Sequence, residues 1–430
     1  MPAVAAVAVV AAGFAVAFRW AVAETTHALG GTNVVDLMRR VPVWERLALP
    51  AAGGLATGLV ALAVRRLRGV SGVGFVMEAI VLGQERVPLQ RSTLQMVSSW
   101  FAIVSGNSLG REGPLIQFGA AAGEGARRAF KLTDASAQVV LASGVAAGFA
   151  AAYNAPMAAS LFVIEVVTGV IVLEAAVPIL LAAVIATVIT QYAVGGAPLY
   201  GLRDFGRVAP IELLAFAGLG LVAAPLGVMF LRMLAFVERG WRHLPVPARS
   251  AAGGLLCGAV LIAVPAVAGN GFEPLDMLLD GKLAIAGVAW LLLAKPLATA
   301  ASVGSCNPGG VFTPTLLLGA LIGTLYAAAL AACGADVTPG AYALVGLGAA
   351  LSATTHAPIM AAILACELSG DFGLILPLLV ACAIAAGAAR RLYIDNMYSA
   401  ELSRRGLRWR LTLDGRRQVA RVEPEPTADP

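Results

Sequence analysis

The chain has 430 residues, of which 59% are hydrophobic and 13% are charged, and its mean hydropathy is +0.84. Soluble globular proteins are about 45–50% apolar and about 25% charged, so this chain cannot keep its whole surface in water. This balance excludes a soluble enzyme, a nucleic-acid-binding protein and a disordered regulator. It predicts an all-α polytopic membrane protein in contact with a lipid bilayer.

The basic residues are distributed as in a membrane protein. The net charge is +5, and 27 of the 30 basic residues are arginines that cluster at the ends of apolar runs. The clearest clusters are Arg65, Arg66 and Arg68, then Arg127, Arg128 and Lys131, then Arg390 and Arg391. Loops on the cytoplasmic side of a membrane are enriched in such residues. The positive charge therefore indicates membrane loops and no nucleic-acid partner.

Ten apolar stretches contain no Asp, Glu, Lys or Arg. They are 1–18, 47–64, 92–110, 135–164, 175–202, 213–231, 250–272, 296–335, 337–366 and 372–389. A helix needs about 20 apolar residues to cross a hydrocarbon core, so each stretch qualifies or nearly qualifies, and the longest have room for two helices. No charge precedes Arg19, which argues against a signal peptide, and we interpret the first stretch as the first membrane helix.

Cysteines and histidines give no sign of a metal or cofactor site. The five cysteines lie in or beside apolar stretches without CxxC spacing, which predicts small buried side chains rather than disulfides or zinc ligands; they are Cys257, Cys306, Cys333, Cys366 and Cys382. The three histidines, His27, His243 and His356, lack ligand spacing. An intramembrane enzyme, the alternative from another functional class, would need a metal cluster or an activated nucleophile, so we predict no enzyme activity and no cofactor.

Helix-breaking residues occur at matching places in the two halves of the chain. The segment 113–119 resembles 313–319, and Asn154-Ala155-Pro156 resembles His356-Ala357-Pro358. Each of these last prolines precedes a glutamate, Glu165 or Glu367, by nine residues. Corresponding broken helices in two halves indicate a transport site near the membrane midplane. We predict a first repeat over 1–208, a second over 209–400, and a short charged tail over 401–430.

An acidic residue lies at the first break, among residues that begin a helix. Glu112 is followed by an apolar stretch that runs to the next charged residue, Glu124. A carboxylate at that depth costs several kcal/mol unless it is paired, hydrated or protonated, so we interpret Glu112 as a functional residue. Gly110 and Gly113 leave backbone N–H groups accessible, and Pro114 suits the first turn of a helix. A helix N-terminus with free N–H groups favours an anion. The second break, 307–314, repeats this pattern without a carboxylate.

At this point several motifs resemble one family. The run Gly106–Pro114 (GNSLGREGP) is similar to the GREGP signature of the CLC family of chloride channels and proton/chloride exchangers. Pro308–Pro314 is similar to that family's GGIFAP-type motif, and Ser71-Gly72-Val73 to its GSGIP motif. Tyr398 falls where the family has a pore tyrosine. The motifs occur in the family's order between about residue 1 and residue 400.

The resemblance implies a fold and a function. The expected fold is the CLC type, with two inverted-topology repeats whose broken helices meet at a midplane anion site. We expect a homodimer in the bacterial inner membrane, with one anion pathway in each subunit and the tail on the cytoplasmic side. Glu112 is the expected gate, and chloride is the expected ion. The anion-binding residues expected from the resemblance and from the helix breaks are Ser71, Gly110, Arg111, Gly113, Val311, Phe312 and Tyr398.

Two positions depart from the family pattern. Val70 and Gly74 replace the residues that bracket the serine in GSGIP. More important, typical exchangers carry two consecutive acids where this chain has Glu165 and Val166, and the second acid accepts the proton. Because valine carries no proton, the sequence favours a chloride channel. A proton/chloride exchanger in which water carries the proton remains the alternative. A fluoride exporter is disfavoured, since Ser71 and Tyr398 are the chloride-type residues.

Three further polar residues are predicted to be structural. Glu165 and Glu367 are equivalent in the two repeats, and we interpret both as buried acids that are hydrogen-bonded to helix ends. His356 is predicted to open a helix beside Pro358 at the second break of the second half, and we interpret it as structural too.

Overall fold

The computed structural model describes residues 1–65, 72–83, 86–206, 208–404, 407–412 and 415–421. The first half contains α1 (Pro2–Ala28), α2 (Val34–Arg40), α3 (Val43–Arg65), α4 (Val73–Leu82), α5 (Leu89–Val104), α6 (Glu112–Ala129), α7 (Asp134–Tyr153), α8 (Pro156–Leu161), a π-helical turn (Phe162–Thr168) and α9 (Leu173–Val194). The second half contains α10 (Glu212–Gly240), α11 (Val246–Ala263), a 3₁₀ turn (Pro265–Val267), α12 (Phe272–Leu279), α13 (Ile285–Gly304), α14 (Phe312–Ala332), α15 (Pro339–Thr355), α16 (Pro358–Ser369), α17 (Ile375–Leu392) and α18 (Ser399–Arg404). In the tail, β1 (Leu407–Thr412) and β2 (Gly415–Arg421) form one antiparallel pair.

Within these described ranges, nine helices are long and apolar enough to cross a membrane. They are α1, α3, α7, α9, α10, α11, α13, α14 and α17. The predicted helical, polytopic architecture is therefore confirmed. The apolar stretches 92–110 and 337–366 give shorter helices instead, because the chain breaks inside or at the end of each one.

Left-handed residues divide the longest apolar stretches as expected. Asn154 ends α7 with φ 57°, and His356 ends α15 with φ 59°. Pro156 and Pro358 then occupy the first position of the next helix, where a missing N–H costs nothing. The prediction that His356 opens a helix is therefore wrong: its left-handed backbone ends α15, and its carbonyl oxygen accepts a hydrogen bond from Arg390 Nη2 at 2.6 Å.

The two halves repeat one packing pattern. Helix α1 packs against α5, α6, α7 and α9, and α10 packs in the same way against α13, α14, α15 and α17. Helices α3 and α11 pack against each other between the halves. The predicted boundary at residue 208 falls in the segment that connects α9 to α10. It remains a prediction.

Glycines allow the corresponding helix pairs to approach closely. A Cβ atom at Gly119 in α6 would collide with the carbonyl group of Gly144 in α7. A Cβ atom at Gly319 in α14 would collide with the carbonyl group of Gly346 in α15. Small residues let membrane helices pack backbone to backbone, which holds the helices that begin at the breaks in place.

The cysteine prediction is confirmed for three residues and wrong for two. Cys257, Cys366 and Cys382 are buried, whereas Cys306 and Cys333 are exposed. Both exposed cysteines lie just beyond the end of a helix, in loops that the sequence placed inside one continuous apolar stretch.

Candidate functional site

The two helix breaks meet at the centre of the molecule. Gly110 and Gly310 form an isolated antiparallel bridge, in which each backbone N–H donates to the other residue's carbonyl oxygen at 2.7 Å. This bridge places the N-terminus of α6 beside the N-terminus of α14. A Cβ atom at Gly310 would collide with the side chain of Glu112, so a larger residue there would displace the carboxylate from this position.

The Glu112 carboxylate is bound at the N-terminus of α14. Its Oε1 atom accepts hydrogen bonds from the backbone N–H groups of Phe312 at 3.0 Å and Thr313 at 3.2 Å. Its Oε2 atom accepts one from the Thr313 hydroxyl at 3.0 Å. The side chain is 1% exposed. The positive end of a helix stabilises such a buried anion.

A second hydroxyl group, that of Tyr153, forms a hydrogen bond with the Thr313 hydroxyl. Tyr153 Oη lies 2.8 Å from Thr313 Oγ1. Because the single hydroxyl proton of Thr313 is directed at Glu112, Tyr153 is the donor in this pair. The Tyr153 and Phe312 rings lie 5.4 Å apart, and Phe149 and Phe162 complete an aromatic cluster around them. Aromatic rings thus pack around the tyrosine whose hydroxyl supports Thr313.

Glu112 and Tyr398 line one cavity of about 280 Å³, which we call the tyrosine cavity. Tyr398 is 9% exposed, and its ring packs edge-on against Phe162 with centroids 5.6 Å apart. Its backbone is fixed by Asn396, whose Oδ1 accepts a hydrogen bond from Tyr398 N at 2.9 Å. The tyrosine thus shares a cavity with Glu112; its role in binding an anion remains a prediction.

Three of the other predicted anion-binding residues also lie at this cavity or beside it. Gly113 and Val311 line it, and the N–H group of Phe312 is occupied by Glu112. Ser71 and Val70 lie outside the described residues. The neighbouring Gly72 lines the cavity and directly precedes α4.

The structure does not bring Gly110 and Arg111 to the tyrosine cavity. The N–H group of Gly110 is used by the carbonyl oxygen of Gly310, so it is not available to an anion. The Arg111 guanidinium lies over the Phe272 ring at 5.2 Å and lines a different cavity. Successive residues at the helix start point to opposite sides of the break, which the sequence did not reveal.

The two equivalent glutamates are hydrogen-bonded to helix ends, as predicted, but the prediction that they are buried is wrong, because both are half-buried. Glu165 accepts from the N–H groups of Ile359 at 3.3 Å and Met360 at 2.6 Å, at the start of α16. Glu367 accepts from Met157 at 2.9 Å and Ala158 at 2.8 Å, at the start of α8. Val166 is fully buried beside Glu165 in the π-helical turn.

Sequence reasoning assigned no role to Thr313, Tyr153 or Gly310. Thr313 stands inside the Pro308–Pro314 motif, so its hydroxyl was a signal that could have been used. Tyr153 gave no local signal, because only the fold brings it to a residue 160 positions away. No group of three or more His, Cys, Asp or Glu side chains in the described residues could hold a metal ion.

The comparisons with known proteins agree on one family. The family model described as voltage gated chloride channel matches residues 53–390. A putative chloride channel protein ClcB-like from Ralstonia nicotianae is 36% identical over 90% of this chain and 93% of its own length. The voltage-gated ClC-type chloride channel ClcB of Escherichia coli O9:H4 is 33% identical over 85% and 89%.

Solved structures share the fold. A slow cyanobacterial Cl⁻/H⁺ antiporter superposes with a TM-score of 0.84 at 24% identity, covering 94% of this chain and 97% of its own. A CLC-type fluoride/proton antiporter gives a TM-score of 0.79 at 20% identity, covering 92% and 95%. Given these matches and the two broken-helix repeats that meet at Glu112, the chain belongs to the voltage-gated chloride channel (CLC) family.

Proposed function

We propose that this protein transports chloride and related small anions across a bacterial inner membrane, with Glu112 as the gate. One observation carries the proposal: the Glu112 carboxylate occupies the N–H groups of Phe312 and Thr313 at the start of α14. A carboxylate is itself an anion, so it takes a place in which a chloride ion would be stabilised by the same helix end. The names of the ClcB relatives support chloride as the ion.

Opening requires the carboxylate to leave the helix end. Protonation removes its negative charge, and with it most of the attraction to the N–H groups of α14. A chloride ion that arrives from the tyrosine cavity competes for the same groups. Both routes give a pathway whose conduction rises with acidity and with chloride concentration.

The tyrosine cavity suits an anion that must also leave. Among the described residues that line it, no lysine or arginine occurs; the lining includes the neutral Tyr398, the backbone at Gly113 and Val311, and the acids Glu112 and Glu238. Neutral donors bind a halide more weakly than a guanidinium does. Weak binding permits rapid passage, which conduction requires.

For the mode of transport, passive conduction is our first candidate. It is supported by the fully buried Val166 at the position where exchangers carry a proton-accepting acid. Proton/chloride exchange is the second candidate, favoured by Glu238, which lines the same cavity as Glu112. Glu238 would offer a proton acceptor in place of the acid that Val166 replaces.

The test is chloride flux through the purified protein in liposomes. A chloride gradient should drive chloride efflux that empty liposomes do not show, and the Glu112→Gln protein should carry it without the pH dependence of the wild type. The absence of chloride flux in folded protein would overturn the proposal. Crossed chloride and proton gradients then separate the two modes by the voltage at which current vanishes.

We also propose a homodimer whose tail faces the cytoplasm. The tail, 401–430, holds seven arginines and five acids, and arginines next to a membrane helix favour the cytoplasmic side. Protease digestion of sealed inside-out vesicles should remove the tail, whereas right-side-out vesicles should protect it. Mass measurement of the detergent-solubilised protein checks the number of subunits.

A further inference from the structure

A groove of about 400 Å³ lies where the end of α11 meets α12 and the start of α13, and we call it the Trp290 groove. Pro274 and Met277 of α12 line one side of it, and Trp290 and Leu291 of α13 line another. Arg39, the last residue but one of α2, is the only charged residue among the described residues that line it. The groove is therefore an apolar cleft with one positive charge.

The groove lies at one end of the membrane-spanning helices. Trp290, near the start of α13, and Trp44, in the first turn of α3, are each 67% exposed. A Cβ atom at Gly258 in α11 would collide with the backbone of Leu47 in α3, so the end of α11 lies beside the start of α3. Exposed tryptophans are enriched where a bilayer meets water. The groove therefore lies at the level of the lipid headgroups.

A buried lysine holds one wall of the groove from inside the protein. Lys295 in α13 is 0% exposed, and its Nζ atom donates to the carbonyl oxygens of Val267 at 2.9 Å and Gly269 at 2.8 Å. Val264 and Ala266, which line the groove, belong to the same short segment between α11 and α12. Because hydrogen bonds from an ammonium group are strong, this segment is held in place and the groove is preformed.

Gly287 keeps the groove open on the α13 side. It precedes Trp290 by three residues and Leu291 by four, so the three residues share one face of the helix. A Cβ atom at Gly287 would meet no atom within 4 Å, so close helix packing does not require glycine here. A large side chain at this position would enter the groove.

Arg39 brings a positive charge to this cleft. Its side chain is exposed and forms no salt bridge with another described residue, whereas the neighbouring Arg40 pairs with Asp36 at 2.9 Å. A guanidinium binds phosphate oxygens through two parallel N–H donors. Arg39 is therefore available to a phosphate group at the headgroup level.

We propose that the Trp290 groove is a binding site for an anionic phospholipid, with the phosphate at Arg39 and an acyl chain beside Gly287 and Trp290. Lipid chains surround membrane-spanning helices and are as apolar as the side chains that line this groove. A zwitterionic lipid carries a positive group that Arg39 repels, so the arginine favours a headgroup with net negative charge. The proposal rests on the groove alone and not on the proposed transport function.

Native mass spectrometry of the full-length protein in mild detergent is the test, with equal amounts of phosphatidylglycerol and phosphatidylcholine added. The wild type should retain phosphatidylglycerol about fivefold better, and Arg39→Gln should retain about one fewer such molecule per chain. Arg40→Gln is the matched control, since it removes a neighbouring charge that does not line the groove, and it should retain lipid as the wild type does. Equal retention by the two arginine variants would overturn the proposal.

Filling the groove tests its position separately. Gly287→Leu should lower the retention of phosphatidylglycerol although Arg39 is still present, because the leucine side chain occupies the space of the acyl chain. Gly287→Ala adds only a methyl group that meets no neighbour, so it should fold and retain lipid as the wild type does. Wild-type retention by Gly287→Leu would place the lipid outside the groove and reject the site.

Discussion

Glu165 and Glu367 each accept hydrogen bonds from the opposite half of the chain. Glu165, from the first half, accepts both its hydrogen bonds at the start of α16, and Glu367, from the second half, accepts both of its own at the start of α8. The two acids lie at equivalent places in the repeats, so the hydrogen bonding between the halves is reciprocal. Each carboxylate satisfies two N–H groups at a helix start that would otherwise lack partners.

We expect these reciprocal hydrogen bonds to stabilise the fold rather than to take part in anion transport. Glu165→Ala and Glu367→Ala should each lower the free energy of unfolding by about 2 kcal/mol, because hydrogen bonds to a charged group are lost and N–H groups are left unpaired. Thermal unfolding in detergent measures the change. Glu24→Ala, at an exposed acid, is the control and should leave the transition temperature unaltered.

The prediction for Glu112 concerns acidity. Glu112→Gln should remove most of the pH dependence of chloride flux between about pH 4 and pH 8, because an amide keeps the shape of the side chain but never carries the blocking charge. Flux at neutral pH should rise to the level that the wild type reaches in acid. Glu165→Gln, which makes the same change outside the tyrosine cavity, should keep the wild-type profile; an unchanged profile in Glu112→Gln would reject the gate.

Thr313 offers a test that spares the gate itself. Thr313→Val removes the hydroxyl that donates to Glu112 Oε2 and that accepts from Tyr153. One hydrogen bond to a charged group is worth about 1.5 kcal/mol, so the closed state should weaken and flux at neutral pH should rise about tenfold. Thr313→Ser keeps the hydroxyl and should behave as the wild type.

The family motifs predicted the site because they contain the residues at the two helix starts. Gly110, Glu112 and Phe312 lie within seven residues of a motif proline, so local sequence was enough to place them at helix N-termini. Tyr153 could not be predicted, because the motifs report only on residues close to them in the sequence. Its partner is far away in the chain, and an apolar stretch that contains a tyrosine looks the same whether the hydroxyl is used or not.

Local sequence also could not show which way each side chain at the start of α6 points. Arg111 and Glu112 are adjacent, yet the arginine lines one cavity and the glutamate lines the other. The Gly110–Gly310 bridge decides this, since it fixes the orientation of the backbone just before α6. A bridge between residues 200 positions apart depends on the packing of the two repeats, and no window of sequence contains it.

The proposed chloride site should depend on two hydroxyls. Tyr398→Phe and Ser71→Ala each remove one donor and should each weaken chloride binding by about 0.5–1.5 kcal/mol. The backbone N–H groups at Val311 and Phe312 remain, so the double variant should bind weakly rather than not at all. Calorimetry with purified protein measures this, and wild-type affinity in the double variant would place the site elsewhere.

The last prediction concerns coupling to protons. An exchanger needs a titratable group that carries the proton between Glu112 and the opposite side of the membrane. Val166 cannot do so, and the neighbouring Glu165 is bound to two N–H groups at the start of α16. We therefore expect chloride flux that is uncoupled or only loosely coupled, with a zero-current voltage near the chloride equilibrium value under an imposed pH gradient.

Uphill proton movement driven by a chloride gradient, at a fixed ratio, would overturn that expectation and establish exchange. In that case two variants locate the proton route. Glu238→Gln should abolish proton movement if the carboxylate that lines the tyrosine cavity is the acceptor, because no other described acid except Glu112 lines that cavity. Val166→Glu, which restores the usual acid, should then change the rate more than the ratio of ions, since a working route would already set that ratio.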